Sequence, residues 1–329
     1  MKIIIPMAGK GKRLRPITLT TPKPLIPVAG KPMVEHLVED IIKLYKGQIE
    51  EIAFIIGDFG KEVEQQLCSV AENLGTKAKI YYQLEPLGTA HAIQCAADSL
   101  DGELIIAYAD TLFHADFQFD KTADGIIWVK SVEDTRSFGV VKLDDNGVIT
   151  KMVEKPQEFI SDLAIIGIYY IKDGLNLKNE IDKLIQLGIK HNGEYSLTDV
   201  LDTLLRQGYK IVPAKVNEWM DCGTFTNILA TNQRVLEIKP DSATTRACDT
   251  SVILQPSFIH PTARVENSVI GPFVSIGANC AIINSTIASS IIMEDTRIQN
   301  ACIQESVVGR AVHILRKPEQ VFAGDFTQT

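Results

Sequence analysis

Residues 3–16 read Ile3-Ile4-Ile5-Pro6-Met7-Ala8-Gly9-Lys10-Gly11-Lys12-Arg13-Leu14-Arg15-Pro16, and they decide the fold. Three successive isoleucines leave no polar face, which is the pattern of a strand buried on both sides. The glycines that follow let the backbone approach a ligand closely and turn its N–H groups inward. Lys12, Arg13 and Arg15 add charge-assisted donors suited to phosphate oxygens. The spacing is not that of a Walker A loop, and Leu14 stands where the dinucleotide fingerprint needs its third glycine. Alone, the segment points to an anion site after the first strand and no further.

Outward from it, the pattern alternates. Met33, Leu37, Ile41 and Leu44 give 32–45 a helical period. Residues 52–56 read as a strand, 61–74 as a helix, 79–83 as a strand, 89–97 as a helix and 104–107 as a strand. This predicts a parallel, doubly wound sheet, in which ligands sit beyond the carboxyl ends of the strands. Residues 126–171 are β-rich, with strands at 125–129, 138–141, 147–149 and 165–170. Asp145-Asn146-Gly147 makes a hairpin turn between two of them. Helices at 175–187 and 197–207, a strand at 210–215 and a helix at 224–236 close this region.

From about residue 250 the period changes. Ile259, Val265, Ile270, Ile276, Ile282, Ile287, Ile292, Ile298, Ile303 and Val308 recur at gaps of five or six. Ser-x-[Ile/Val] recurs at Ser268, Ser285, Ser290 and Ser306. A hexapeptide repeat of this kind predicts a parallel β-helix, here of some three coils, in preference to a β-sandwich. Residues 240–245 read as the linker.

Composition bounds the partners. Lys plus Arg is 33 and Asp plus Glu 41, for a net charge of −8. That balance argues against general nucleic-acid binding. Yet the first 31 residues hold seven cations and no acid, so the basic charge is local. Cysteines at 68, 95, 222, 248, 280 and 302 form no C-x-x-C pair and no zinc spacing, which reads as reduced, mostly buried thiols in a cytoplasmic protein. The apolar run before Pro6 is too short for a signal peptide, and no run approaches the roughly 20 residues that span a bilayer.

The loop continues into Thr21-Pro22-Lys23-Pro24-Leu25-Ile26-Pro27-Val28. Prolines on both sides of Lys23 fix its backbone, which is hard to explain for a solvated side chain. Together the two pieces resemble the signature of the sugar-1-phosphate nucleotidylyltransferases, G-G-x-G-[TS]-R-L-x-P-x-T followed by P-K-P-[LM]-x-P-V. Lys12 stands in place of the usual hydroxyl residue, and Lys10 adds a further cation beside it. The resemblance extends to Gln83-Leu84-Glu85-Pro86-Leu87-Gly88-Thr89-Ala90, to Asp110 at the end of a strand, and to Asp221 in Trp219-Met220-Asp221-Cys222-Gly223-Thr224. Ala109 replaces the glycine usual before the first aspartate.

The resemblance implies an α/β fold, with a doubly wound, mixed but mostly parallel Rossmann-like sheet followed by a short left-handed parallel β-helix. Its domains are a catalytic domain at 1–240, hexapeptide repeats at 250–315 and a tail at 316–329. It implies transfer of a nucleotidyl group from a nucleoside triphosphate to a sugar 1-phosphate, with pyrophosphate released. Arg13 and Lys23 are then catalytic; Ala8, Gly9, Gly11, Lys12, Gln83, Gly88 and Thr89 bind the nucleotide; Gly139, Glu154, Lys155 and Gly167 bind the sugar phosphate; and Asp110 and Asp221 hold Mg²⁺, a hard cation that prefers oxygen ligands. A Gln amide carries both donor and acceptor, so Gln83 can match the imide edge of uracil or thymine. Glu194 and Asp199 lie near the sugar site without a contact assigned.

UTP or dTTP with glucose 1-phosphate or a related hexose 1-phosphate is the first substrate reading, and guanylyl transfer to mannose 1-phosphate the second. A phosphocholine-type acceptor is opposed by Glu154 and Gly139. A non-catalytic sugar-nucleotide sensor is opposed by competent residues at Arg13, Lys23, Asp110 and Asp221. His260 and His313 raise an acyltransferase activity that the short repeat argues against. No nucleic acid or membrane partner is expected, and a β-helix flank leaves homo-oligomerisation open.

Overall fold

The computed structural model describes residues 1–45, 47–115, 120, 122–239 and 250–317. The predicted linker at 240–245, Cys248 and nearly all of the predicted tail lie outside them. Two compact units are formed, one of Met1–Leu25 with Met33–Cys222, the other of Ile26–Pro32 with Gly223–Thr329. In chain order, β1 (Lys2–Pro6) precedes the hairpin of β2 (Pro27–Val28) and β3 (Lys31–Pro32). Then come α1 (Met33–Tyr45), β4 (Glu51–Ile56), α2 (Lys61–Asn73), β5 (Lys77–Tyr82), α3 (Thr89–Gln94), β6 (Leu104–Ala107), β7 (Thr111–His114) and β8 (Gly125–Ser131). Next are β9 (Gly139–Leu143), β10 (Ile149–Glu154), β11 (Leu163–Ile171), α4 (Gly174–Gln186), α5 (Leu197–Arg206), β12 (Ile211–Lys215), β13 (Glu218–Asp221) and α6 (Phe225–Ile238). Twelve strands of two or three residues, β14 (Val252–Ile253) to β25 (His313–Leu315), complete the described order.

In the first unit a nine-stranded sheet runs β10-β9-β11-β6-β1-β4-β5, with β8 beside β11 and β12 beside β8. Strands β6, β1, β4 and β5 are mutually parallel, and β11 runs antiparallel to β6. Ile3, Ile4 and Ile5 are fully buried at its centre, each worth about 2 kcal/mol of transfer free energy. Parallel strands must end on a common edge, so Met7, Gly57, Gln83 and Tyr108 emerge side by side. α5 explains its own place: Ser196 caps it by accepting from the Thr198 N–H, and Leu197, Val200, Leu201 and Leu204 bury one face.

The predicted elements all appear, with ends shifted by a few residues; the helix expected to 97 gives way after Gln94 to a short 3₁₀ turn at Ala97–Ser99. Unforeseen were the β2–β3 hairpin and the ribbon of β7 with β13, whose strands are too short to show a period.

In the second unit, strands β14 to β25 form three four-stranded parallel sheets, the faces of the short left-handed parallel β-helix. There are four coils among the described residues, one more than the repeat count suggested. The difference is Ile253 and Ile314, which extend the inward-facing columns at either end. The recurring serines have a mechanical reason. Ser268 Oγ accepts from the Ser285 N–H one coil on, Ser285 Oγ from the Ala301 N–H, and Ser290 Oγ from the Ser306 N–H. Asn232 of α6 is fully buried here. Its Oδ1 accepts from the Ala29 N–H and the Ser275 hydroxyl, and its Nδ2 donates to the Phe273 carbonyl. The five described cysteines are free thiols; Cys302 is exposed rather than buried. Among the described residues no helix is long and apolar enough to cross a membrane.

Candidate active site

The loop after β1 gives its two glycines different duties. Gly11 lies in the left-handed region at φ 55°. A Cβ there would stand 3.0 Å from Thr18 Cγ2 and 3.2 Å from Lys23 Cβ, and Thr18 Oγ1 donates to the Gly11 carbonyl at 2.8 Å. Gly11 is therefore required by the packing of the loop on the Lys23 turn. Gly9 is open: nothing lies within 4 Å of a Cβ built on it. Around them Lys10, Lys12, Arg13 and Arg15 are exposed and Ala8 is half-buried. The loop thus presents open backbone ringed with cations.

Lys23 differs from those cations. It begins a 3₁₀ turn closed by the Leu25 N–H donating to the Pro22 carbonyl, and it is only 8% exposed. Its Nζ lies 2.7 Å from Asp110 Oδ2. Asp110 sits between β6 and β7, and β7 pairs antiparallel with β13 so that Thr111 faces Asp221. The Cys222 N–H donates to the Asp110 carbonyl at 3.0 Å. The ribbon that the sequence did not reveal is what carries Asp221, more than a hundred residues away, to the side of Asp110. Lys23, Asp110 and Asp221 converge beside the loop. Among the described residues no group of three or more His, Cys, Asp or Glu is placed to hold a metal. Two carboxylates, one between β6 and β7 and one at the end of β13, fit Mg²⁺, which takes one or two from protein and the rest from phosphate and water.

The predicted sugar side assembles at β9, β10 and α5. Glu154 pairs with Gly139 in register, and a Cβ on Gly139 would come 3.1 Å from Glu154 Oε2 and from Thr198 Oγ1. The Thr198 hydroxyl donates to Glu154 Oε2 at 2.6 Å. Lys155 takes a left-handed φ of 42°, uncommon for a side chain this long, and its Nζ lies 3.7 Å from Glu154 Oε1. Lys155 is exposed and Glu154 half-buried, so this is a solvent-accessible ion pair. Burial raises the Asp199 carboxyl above its usual range, His191 opposes this, and Glu154 adds to it. Asp199 thus belongs to the same charge environment.

Gly167 connects this side to Asp110. It has φ 85°, a Cβ on it would stand 2.7 Å from Tyr108 Cδ2, and its carbonyl accepts from the Tyr108 N–H. The Thr111 hydroxyl donates to the Ile166 carbonyl at 3.0 Å. Burial pushes the hydroxyls of both Tyr108 and Tyr169 well above the ordinary tyrosine value, so both are neutral there. Gly167 is a close-packing position that fixes the turn bearing Asp110.

On the opposite flank, Gln83 follows β5. Gly88, at φ 119°, could not carry a side chain, since a Cβ would stand 2.4 Å from the Tyr195 carbonyl oxygen and 2.6 Å from its nitrogen. Tyr195 donates to the Leu87 carbonyl and accepts from the Ala90 N–H. Thr89 Oγ1 accepts from the Leu197 N–H at 2.9 Å. Gly88 and Thr89, read from sequence as nucleotide contacts, have chain partners that already require them. Thr198 and Tyr195 were missed as organisers, although they lie beside Asp199 and Glu194, which the resemblance set near the sugar site.

The edge thus brings an open, cation-ringed loop beside Lys23, Asp110 and Asp221. Residues 2–238 match the nucleotidyl transferase family model, and the chain belongs to that family. Residues 253–318 match a second model, the GMPPB C-terminal domain. The low-salt glycan biosynthesis nucleotidyltransferase Agl11 of Haloferax volcanii is 32% identical over 95% of this chain and 94% of its own. A glucose-1-phosphate thymidylyltransferase of Streptomyces griseus is 28% identical over 97% and 95%. Among solved structures, a putative glucose-1-phosphate thymidylyltransferase from Bacillus anthracis in complex with a sucrose superposes with a TM-score of 0.59. It is 25% identical and covers 70% of this chain and 93% of its own.

Proposed function

We propose that this chain joins a nucleoside triphosphate to a sugar 1-phosphate, with UTP or dTTP and a hexose 1-phosphate as its substrates. The observation that carries the reading is the convergence of Lys23, Asp110 and Asp221 beside the open loop at Gly9. A phosphate oxygen of the sugar 1-phosphate attacks the α-phosphorus. The bond from that phosphorus to the oxygen bridging to the β-phosphorus breaks, and pyrophosphate leaves in line. No covalent enzyme intermediate is required, so positioning and charge neutralisation carry the rate.

The placement of these residues supports the following roles. The open backbone from Ala8 through Gly9 to Gly11, with Lys12, cradles the triphosphate. Exposed Arg13 reaches the departing pyrophosphate. Lys23, held beside Asp110, supplies positive charge near the attacking oxygen. Asp110 and Asp221 would hold Mg²⁺, which neutralises phosphate charge when bound. Glu154, steadied by Thr198, accepts from sugar hydroxyls, while Lys155 meets the sugar phosphate and Gly139 leaves them room. The catalytic domain is taken as 1–240, the β-helix as 250–315 and a tail as 316–329. Glucose-1-phosphate thymidylyltransferase relatives support the first substrate reading.

Pyrophosphate release from UTP, dTTP, GTP, CTP and ATP against several sugar 1-phosphates, with Mg²⁺, tests the proposal. Release with one triphosphate and a hexose 1-phosphate is expected. Silence across the panel from folded protein refutes it.

A further inference from the structure

Gln83 and His91 face each other across the start of α3, and hydrogen-bond logic fixes their orientation. Gln83 Nε2 lies 3.1 Å from the Gly88 carbonyl oxygen. That oxygen can only accept, so the amide group turned to it must be the NH₂. The same Nε2 lies 3.1 Å from His91 Nδ1. With one N–H directed at Gly88, the other meets His91 Nδ1, which must then be the unprotonated nitrogen, with the ring proton on Nε2. Burial lowers the proton affinity of the His91 ring, and Glu85 alone opposes it, which favours the neutral ring that this contact requires. Both donors of Gln83 are thereby used within the chain. Among the described residues no hydrogen bond reaches its Oε1.

We propose that His91 is a positioning residue that locks the Gln83 amide with only its carbonyl free, and that the nucleotide site therefore selects bases with a ring N–H on the Watson–Crick edge. The inference rests on the reading that Gln83 faces the base. Uracil and thymine present N3–H there, and guanine presents N1–H. Cytosine N3 and adenine N1 are acceptors, and would meet a carbonyl oxygen lone pair to lone pair. This sharpens the match expected from sequence: the amide does not offer donor and acceptor together, but acceptor alone. Uridylyl, thymidylyl and guanylyl transfer are all compatible with that polarity, whereas cytidylyl and adenylyl transfer are not.

The test uses the whole chain with its preferred triphosphate, found by the panel above, and with CTP as the disfavoured one. His91→Leu frees the second N–H and lets the amide turn. It should raise KM for the preferred triphosphate about tenfold, the weight of one hydrogen bond, with kcat within about threefold. The preference over CTP should fall by a similar factor. His91→Asn puts an amide oxygen near the place of Nδ1 and should restore both. Should the leucine variant fold poorly, nitrogen NMR of the wild-type histidines supplies an independent reading: His91 must be the tautomer with bare Nδ1.

Unchanged KM and preference in folded His91→Leu overturn the inference, as does an asparagine variant impaired as far as the leucine one, an Nδ1–H tautomer, or a wild type that prefers CTP or ATP. Failure of the proposed reaction is a different result: the wild type then releases no pyrophosphate with any triphosphate.

Discussion

Replacing Lys23 separates structure from chemistry at this site. Its stem is buried and its ammonium is bound to Asp110, whose side chain is 44% exposed. Water can reclaim that carboxylate, so losing the ion pair costs about 1 kcal/mol, as exposed pairs do. Truncation to Ala also strips about three buried methylenes, at roughly 0.8 kcal/mol each. Lys23→Ala should therefore lower stability by about 3 kcal/mol. Lys23→Met keeps most of the stem and loses only the charge, so its stability cost should be near 1 kcal/mol. The proposed chemistry responds to charge alone. Both variants should lose on the order of 10²-fold or more in kcat, the effect of removing one preorganised donor. Urea titration gives the stabilities, and pyrophosphate release under saturating substrates gives kcat. A methionine variant that keeps kcat within about threefold would remove Lys23 from the chemistry and leave it a packing residue.

Three further outcomes are expected. Gly88→Ala forces a Cβ against the Tyr195 backbone at a φ of 119°; strain of about 1–3 kcal/mol plus two weakened backbone hydrogen bonds of about 1 kcal/mol each should lower the urea midpoint even with no nucleotide present. Thr198→Val deletes the donor to Glu154 Oε2, and KM for the sugar 1-phosphate should rise roughly fivefold to tenfold, with KM for the triphosphate less affected. Asp199 binds its proton more tightly when folded than its ordinary value of 3.8 implies, chiefly through burial. That favours the fold below this value and is lost as pH rises through the raised one. Asp199→Asn should therefore raise Tm at pH 7, with the gain disappearing towards pH 3.5, and a Tm below wild type at pH 7 counts against the account.

The fold was largely legible because its signals are long and repeated. Ile3 to Ile5 and Leu104 to Ala107 are apolar throughout and became adjacent central strands. Ten β-branched positions at near-constant spacing became the columns of the β-helix. What stayed hidden was short or distant. β7 and β13 hold four residues each, below the length at which alternation separates a strand from a loop, yet their pairing brings Asp110 and Asp221 together. Motif order named both aspartates without supplying that reason. The glycine positions were legible as exceptions but not in cause. Gly88 was named for the nucleotide and Gly167 for the sugar phosphate, and each position also requires glycine for packing, against the Tyr195 backbone and the Tyr108 ring. Sequence spacing cannot reveal a partner so far along the chain.

That difference bears on how the site works. Two sets of residues that the sequence names separately, one for the nucleotide and one for the sugar phosphate, share the start of α5. Tyr195 packs its backbone on Gly88, Leu197 donates to Thr89, and Thr198 donates to Glu154, all within four residues. The same residues form the N-terminal cap, where Ser196 holds the Thr198 N–H. A helix cap is rigid because its hydrogen bonds close on one another, so the flanks are not free to move separately. The enzyme's task, holding two anionic substrates in line while their charges repel, favours such an anchor. Loose flanks would let the acceptor oxygen drift from the α-phosphorus, and misplacement of about 1 Å can cost on the order of 10²-fold in rate. On the proposed function, Gly88 and Thr89 would then serve to tie the base flank to the sugar flank through Tyr195 and Leu197.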